Sequence, residues 1–390
     1  MGDTGKILII DFTNFEDYPI GGYLSFARNL MKAFGIDLAL AGITTSKGDP
    51  VGKWFKKEID GSAYDFFALA RYKKTKTRHL IPDRLVGYLL VGYFQNRILK
   101  INIKNLFIQR HEILLSLRRL RSMNICFCFA GLENPLAISK YSYASGISRF
   151  FETRFFKKLK YAGTILASGD ENSINEMIAR SGGIVPRGTV IKFPTRISTD
   201  IFNPVDKSEA RSRLGLPAKG VMVITTGRLA QFKGWKFMVD SYSLFMDKIP
   251  ESSFHFIGEG EDYEEIKAYL SLANLTDKIS LEGKKSQEEI ALYLNASDLF
   301  IMGSYKEGWS TSLMEAVACG VPSCVTDFSS ARDIVREGES GYVVSDHNET
   351  VFADYMVQAL KLARPVRNDH VISYSTNNLK EDLLKYWTLL

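Results

Sequence analysis

The chain has 390 residues, 45% of them hydrophobic and 24% charged, a balance that excludes disordered and fibrous classes and fits an ordinary globular protein. One hydrophobic core rarely serves a chain of this length, so two domains are expected. The net charge of +6 is unevenly divided, with 30 Lys and Arg against 17 Asp and Glu in residues 1–205 and an acidic remainder. A basic first half points either to an anionic partner or membrane surface, ahead of nucleic acid, or to solvated surface charge with no partner.

No apolar run approaches the ~18–20 residues that span a bilayer. The start of the chain runs directly into KILIIDF without the pattern of a secretory leader, so a cytoplasmic location is expected, with peripheral contact at the inner membrane face as an extension. Cys126, Cys128, Cys319 and Cys324 are too few and too irregularly spaced for a disulfide framework or a zinc site and read as small buried residues.

Apolar runs of four to seven residues alternate with glycine-bearing turns and amphipathic stretches, the signature of a parallel α/β sheet. The first series of strands is expected at 6–11, 37–41, 106–108, 125–130 and 164–167. The second is expected at 221–226, 253–257, 279–282, 299–303 and 322–326. Between them, the segment from Ile191 to Gly220 is broken by prolines and glycines around a short charged helix, which puts a domain boundary near 195–205. The domains are accordingly 1–198 and 199–370. Leu379, Leu383, Leu384 and Trp387 form a helical pattern in a last segment, 371–390, expected to cross back to the first domain.

Three segments carry chemistry. In EGWSTSLMEAVACGVP, Glu307 and Glu315 lie eight positions apart. A helix opening at Trp309 or Ser310 and running to Cys319 would aim its free N–H groups at a phosphate, with Ser310 and Thr311 suited to its cap. Glu315, further along, could take two hydroxyls of a ribose, and Glu307, before the turn, could meet a sugar. In ITTGRLAQFKGWK, Arg228 and Lys233 follow the first strand of the second domain. Two such cations can hold a diphosphate and offset charge developing on it. In FTNFEDYPIGGYLSFARNL, Gly21 and Gly22 precede a helical run and would let backbone approach a ligand.

The first of these segments resembles the E-x7-E signature of retaining glycosyltransferase family 4, within the wider GT-B fold, and GRL…KG resembles that family's Arg and Lys pair. TDFSSARDIVREGESGYVV, HFIGEGEDYEEIK and ISLEGKKSQEEIALYLNASDLFIMGS are similar to the family's intervening stretches, and Phe202, Asn203 and Pro204 to its entry into the second domain. The resemblance covers residues 190–345 and is faint before them. It implies an α/β GT-B architecture, two Rossmann-like domains whose parallel sheets face a central cleft.

It also implies a donor site of Gly21, Gly22, Gly227, Arg228, Lys233, Gly283, Lys284, Ser304, Glu307, Gly308, Trp309, Ser310, Thr311 and Glu315, with Gly283 and Lys284 beside the base. Glu307, Arg228 and Lys233 would serve the chemistry. Two departures stand out: Ser329 to Ala331 replace the usual glycines, and Ala130-Gly131 stands where many members have a His-Gly step. His111, in LFIQRHEILL, follows the preceding strand and could face the cleft.

The implied activity is retaining transfer of a sugar from a UDP- or GDP-linked donor to an acceptor hydroxyl, on a lipid-linked or cell-surface glycan. No D-x-D triplet is present, so neither metal nor other cofactor is expected. A phosphorylase or epimerase of the same fold, and a non-catalytic binder of sugar nucleotides or polyanions, are the competing readings. Two basic, aromatic segments, RYKKTKTRHLIPDRLVGYLLVGYF and RFFETRFFKKLKY, could touch anionic lipid or simply pack on a sheet.

Overall fold

The computed structural model describes residues 5–19, 21–74, 81–136 and 142–390. Part of the first basic, aromatic segment, residues 75–80, lies outside them. The chain divides into two compact units, 1–194 with 378–390, and 195–377.

The first unit is built on β1 (Ile7–Ile10), β2 (Leu38–Thr44), β3 (Trp54–Ile59), β4 (Ser62–Arg71), β5 (Asn105–Ile108), β6 (Asn124–Phe129), β7 (Thr164–Ala167) and β8 (Val190–Lys192). Their order in the sheet is β3-β4-β2-β1-β5-β6-β7-β8. All neighbours run parallel except β3 and β4, which form a hairpin. Asp60 and Gly61 both have positive φ there, the two-residue turn that suits the twist of paired strands.

Strand residues alternate between two cores, as the pleat requires. Leu8, Ile10, Leu106 and Ile108 face one, with helices Asp83–Ile98, His111–Ser116 and Ser142–Leu159 over it. Ile7, Ile9 and Phe107 face the other, covered by helix Gly22–Phe34 and by Leu379, Leu383 and Trp387 from the C-terminal segment. That segment is held by reciprocal hydrogen bonds, Asn105 Nδ2 donating to the Leu390 carbonyl at 3.1 Å and Leu390 N–H donating to Asn105 Oδ1 at 2.9 Å.

The second unit has β9 (Val221–Thr226), β10 (Ser252–Ile257), β11 (Ile279–Gly283), β12 (Leu299–Met302), β13 (Ser323–Thr326) and β14 (Gly341–Val344), in the order β11-β10-β9-β12-β13-β14 and parallel throughout. The order counted from the first strand is 3-2-1-4-5-6, a doubly wound sheet that reverses direction between β9 and β12. Both sheets are those of an α/β protein with two Rossmann-like units.

The unit boundaries fall at 194 and 377 rather than at 198 and 370, and the cause is local. Ile197 N–H donates to the Tyr374 carbonyl at 3.1 Å, and Thr376 N–H donates to the Ile197 carbonyl at 2.8 Å. These bonds tie 195–198 and 374–376 together inside the second unit. All four cysteines are free and buried.

Candidate active site

In a doubly wound sheet, ligands sit outside the carboxyl ends of the strands where the order reverses. In the second unit this point lies between the ends of β9 and β12, and the turns that leave them are made of glycine. Gly227 follows β9 with φ 139°, Gly258 follows β10 with φ 146°, and Gly283 ends β11 with φ 71°. A Cβ on Gly258 would lie 1.8 Å from the Gly227 carbonyl oxygen, so no larger residue fits. Gly258 N–H in turn donates to the Gly283 carbonyl at 2.9 Å. The three glycines make a ledge of bare backbone along one edge of the sheet.

Beyond Gly227 the chain runs through Arg228 and Leu229 into a 3-10 turn, Gln231–Lys233, that ends at Gly234 in the left-handed region. A Cβ on Gly234 would come within 1.9 Å of the Gly303 carbonyl oxygen. Glycine is therefore required twice over, for its φ and for the contact. This contact sets Lys233 beside the loop that follows β12.

Lys233 Nζ pairs with Glu307 Oε1, the same oxygen that accepts the Ser304 hydroxyl at 2.9 Å. Thr326 Oγ1 donates to the Ser304 carbonyl at 2.8 Å, and Tyr305 N–H donates to the Phe232 carbonyl at 2.9 Å. Arg228 Nε pairs with Glu261 Oε2 at 2.8 Å on an exposed edge. Thr226, Gly227, Arg228, Lys233 and Ser304 line one pocket, with the hydrophobic floor supplied by Trp235, Met238 and Met302. The structure thus brings Arg228, Lys233, Ser304 and Glu307 together around the switch point.

Helix Thr311–Ala318 begins just past this loop. Ser310 caps it, its hydroxyl accepting from Leu313 N–H at 3.3 Å. The Ser310 N–H donates to Ser330 Oγ at 3.1 Å, so the serine that replaces a family glycine here stitches its own loop to the helix start. The N–H groups of Thr311 and Ser312 have no partner among the described residues. They are available, with the positive end of the helix, to an anion.

Glu315 lies one turn along, with no hydrogen-bond partner among the described residues; burial alone pushes its carboxyl up to about 8. An acid in that state gains from any hydroxyl that donates to it, because a donor favours the ionised form. Gly308 is exposed and unencumbered. Lys284 is exposed next to Gly283.

Two expected residues have another setting. The Trp309 side chain is buried, its Nε1–H donating to Met314 Sδ at 2.8 Å and its ring against Tyr374. It fixes the loop before the helix from beneath. His111 is buried in the first unit among Phe127, Phe129, Phe151 and Phe155. Burial, with Arg84 and Arg180 nearby, lowers its pKa to about 3 and keeps the ring neutral. Gly21 and Gly22 open helix Gly22–Phe34 with free space around both Cα atoms.

The first unit's own reversal point, between β1 and β5, is furnished differently. Asp11, fully buried after β1, pairs with Arg110 after β5, and Gln109 Nε2 donates to its other oxygen at 3.3 Å. Arg110 also lies 3.8 Å from Glu112 and stacks over the Tyr23 ring at 4.3 Å. Burial works against the Arg110 charge, but Asp11 and Glu112 more than offset it and hold the guanidinium ionised. Neither this group nor Glu261 is picked out by the sequence motifs. A charged residue just past each of two neighbouring strands, D11 and R110, was the available signal.

Two doubly wound sheets in one chain, parallel but for the edge hairpin β3–β4 of the first, and the solved structures that share this architecture give the protein the GT-B fold. Residues 206–376 match the profile described as glycosyl transferases group 1.

Among curated relatives, a D-inositol 3-phosphate glycosyltransferase of Thermobispora bispora is 28% identical over 42% of this chain and 40% of its own length. A poly(glycerol-phosphate) alpha-glucosyltransferase of Bacillus subtilis is 29% identical over 42% of this chain and 24% of its own length. The matches thus take in less than half of these relatives. Among solved structures, Anabaena HepE in complex with UDP has a TM-score of 0.66 at 13% identity, covering 98% of this chain and 95% of that one.

Proposed function

We propose that this protein transfers a sugar, with retention of configuration, from a UDP- or GDP-linked donor to an acceptor hydroxyl. The observation that carries the reading is the grouping of Arg228, Lys233, Ser304 and Glu307 at the reversal of the second sheet, next to an open helix start. The Bacillus relative's name, an alpha-glucosyltransferase, and the UDP bound by Anabaena HepE support it.

In the free protein the charges are paired, Lys233 with Glu307 and Arg228 with Glu261. An arriving diphosphate takes over both cations and receives the N–H groups at the helix start, since charge-assisted bonds to phosphate are the stronger ones. Glu307 is thereby released to hydrogen-bond the sugar. Glu315 accepts the ribose hydroxyls, and the backbone at Gly283 and Lys284 borders the base.

The acceptor oxygen bonds to the anomeric carbon on the side the diphosphate leaves, the carbon–oxygen bond to phosphate breaks, and the acceptor proton passes to a departing phosphate oxygen. Arg228 and Lys233 stabilise the charge on the leaving group, so the scheme needs neither a histidine base nor a metal. The acceptor is a lipid-linked or cell-surface glycan at the cytoplasmic face of an anionic membrane.

The test is a panel of nucleotide sugars with and without acceptor, following nucleoside diphosphate release and product anomer by NMR. Release that depends on acceptor and an unchanged anomer are expected. Epimerised donor without acceptor, or an inverted product, overturns the reading.

A further inference from the structure

Helix Asp83–Ile98 packs Val91, Phe94 and Ile98 into the first core, and Gly87 brings it close enough that a Cβ there would lie 3.3 Å from the Phe12 ring. Its outward face is apolar up to the last turn, where Asn96 and Arg97 are exposed. Leu85, Tyr88, Leu89 and Tyr93 recur at i, i+3, i+4 and i+8, which is one stripe of a helix, and all are exposed, Leu89 at 58% and Tyr93 at 74%. Ile81, just before the helix, continues the stripe at 56% exposure. A helix apolar on every side is expected in a core or in lipid, rather than facing water.

A second stripe lies on the same side of the same sheet. Helices Asp83–Ile98 and Ser142–Leu159 bury their inner faces in one core, with helix His111–Ser116 packed between them. On the second, Ile147 and Phe150 are 56% and 65% exposed. Arg154 follows one turn on, stacked on the Phe150 ring at 5.4 Å, and Lys157 is exposed next to it.

Charge selects the occupant. No Asp or Glu occurs from Arg84 to His111, while Arg97 and Lys100 are exposed at the far end of the first stripe. Cations flanking rows of Leu, Ile, Phe and Tyr fit a surface that is anionic outside and apolar beneath. A water-facing protein partner would supply one of these features without requiring both.

We infer that this side of the first unit docks on an anionic lipid bilayer through the stripes Leu85–Tyr93 and Ile147–Phe150. The inference rests on the transferase reading, and gives the acceptor's lipid carrier a place to meet the protein.

The experiment measures sedimentation of the full chain with vesicles of phosphatidylcholine alone and with about 30% phosphatidylglycerol, alongside light scattering without lipid and UDP binding by calorimetry. Binding to the anionic vesicles alone is expected, weakened by salt because exposed charges are screened over ~8–10 Å. The variant Leu85→Ser with Leu89→Ser and Tyr93→Ser should lose about tenfold or more of that binding while keeping UDP affinity and its thermal transition, since several apolar side chains no longer leave water.

Equal vesicle binding by parent and variant overturns the proposal, as does no binding by the parent. A dimer seen without lipid that the same variant abolishes also overturns it, by showing that a second copy covers the face. A parent that binds neither UDP nor GDP while vesicle binding stays intact would instead sink the transferase reading alone.

Discussion

The two units carry the same doubly wound sheet and treat its reversal point in opposite ways. In the first, Asp11, Gln109, Arg110 and Tyr23 fill the space after β1 and β5 with charged and aromatic side chains bound to one another. In the second, Gly227, Gly234, Gly258 and Gly303 leave the corresponding space to backbone, and the cations that reach it sit on the rim. The topology creates the opening, and the choice between bulky paired residues and glycine decides whether it is spent on stability or left for a ligand.

Substitutions can break this contrast, and the largest effect is expected in the first unit. Asp11→Ala strands Arg110 in a buried site and should cost about 3–5 kcal/mol of stability, read by urea denaturation. If the transition hardly moves, the pair is not what closes this point. In the second unit, Lys233→Ala should reduce turnover about 10²–10³-fold through loss of charge stabilisation on the leaving group with little change in melting temperature. A comparable loss of stability would mean that the Lys233–Glu307 pair is structural, like its counterpart.

Gly234→Ala meets both a left-handed φ and the Gly303 carbonyl and should cost about 2–4 kcal/mol. Gly22→Ala, with open space and an ordinary φ, should stay within about 0.5 kcal/mol, any effect showing in donor or acceptor KM.

Between these lies a pH test. Burial raises the Glu315 pKa from 4.5 to about 8, so between those values the folded state holds a proton that the unfolded chain has released. Stability should therefore fall as pH climbs through the window and be lowest above it. Glu315→Gln should flatten that slope, raising stability by about 1–3 kcal/mol above pH 8 while weakening donor binding. His111 has the opposite sign. Its pKa is depressed, so the stability it contributes is lost as pH falls below 6.5, and His111→Phe should soften that acid arm without altering the pH profile of turnover.

Much of the second unit was legible because local signals and spacing suffice there. Strand runs such as 221–226 and 299–303 bury both faces and read as continuous apolar stretches, and the glycines after them are forced by φ or by carbonyl contact. The hairpin β3–β4 was passed over although Asp60-Gly61 marks its turn, since WFKKEI is half charged and lies at the sheet edge. The Asp11–Arg110 pair spans 99 residues and follows from strand order, which no local pattern encodes. Trp309 was read as part of the donor loop, yet its ring lies under that loop. Its neighbours Met314 and Tyr374 come from a helix and from the far end of the unit.

The closing residues of the first unit, 378–390, are separated from the rest of it by the whole of the second. On a ribosome, residues 195–377 are all made before Leu379, Leu383 and Trp387 can cover the lower core of β1 and β5. The half that is translated first is thus completed last, and until then it presents an uncovered apolar surface, the state in which a nascent chain most needs a chaperone.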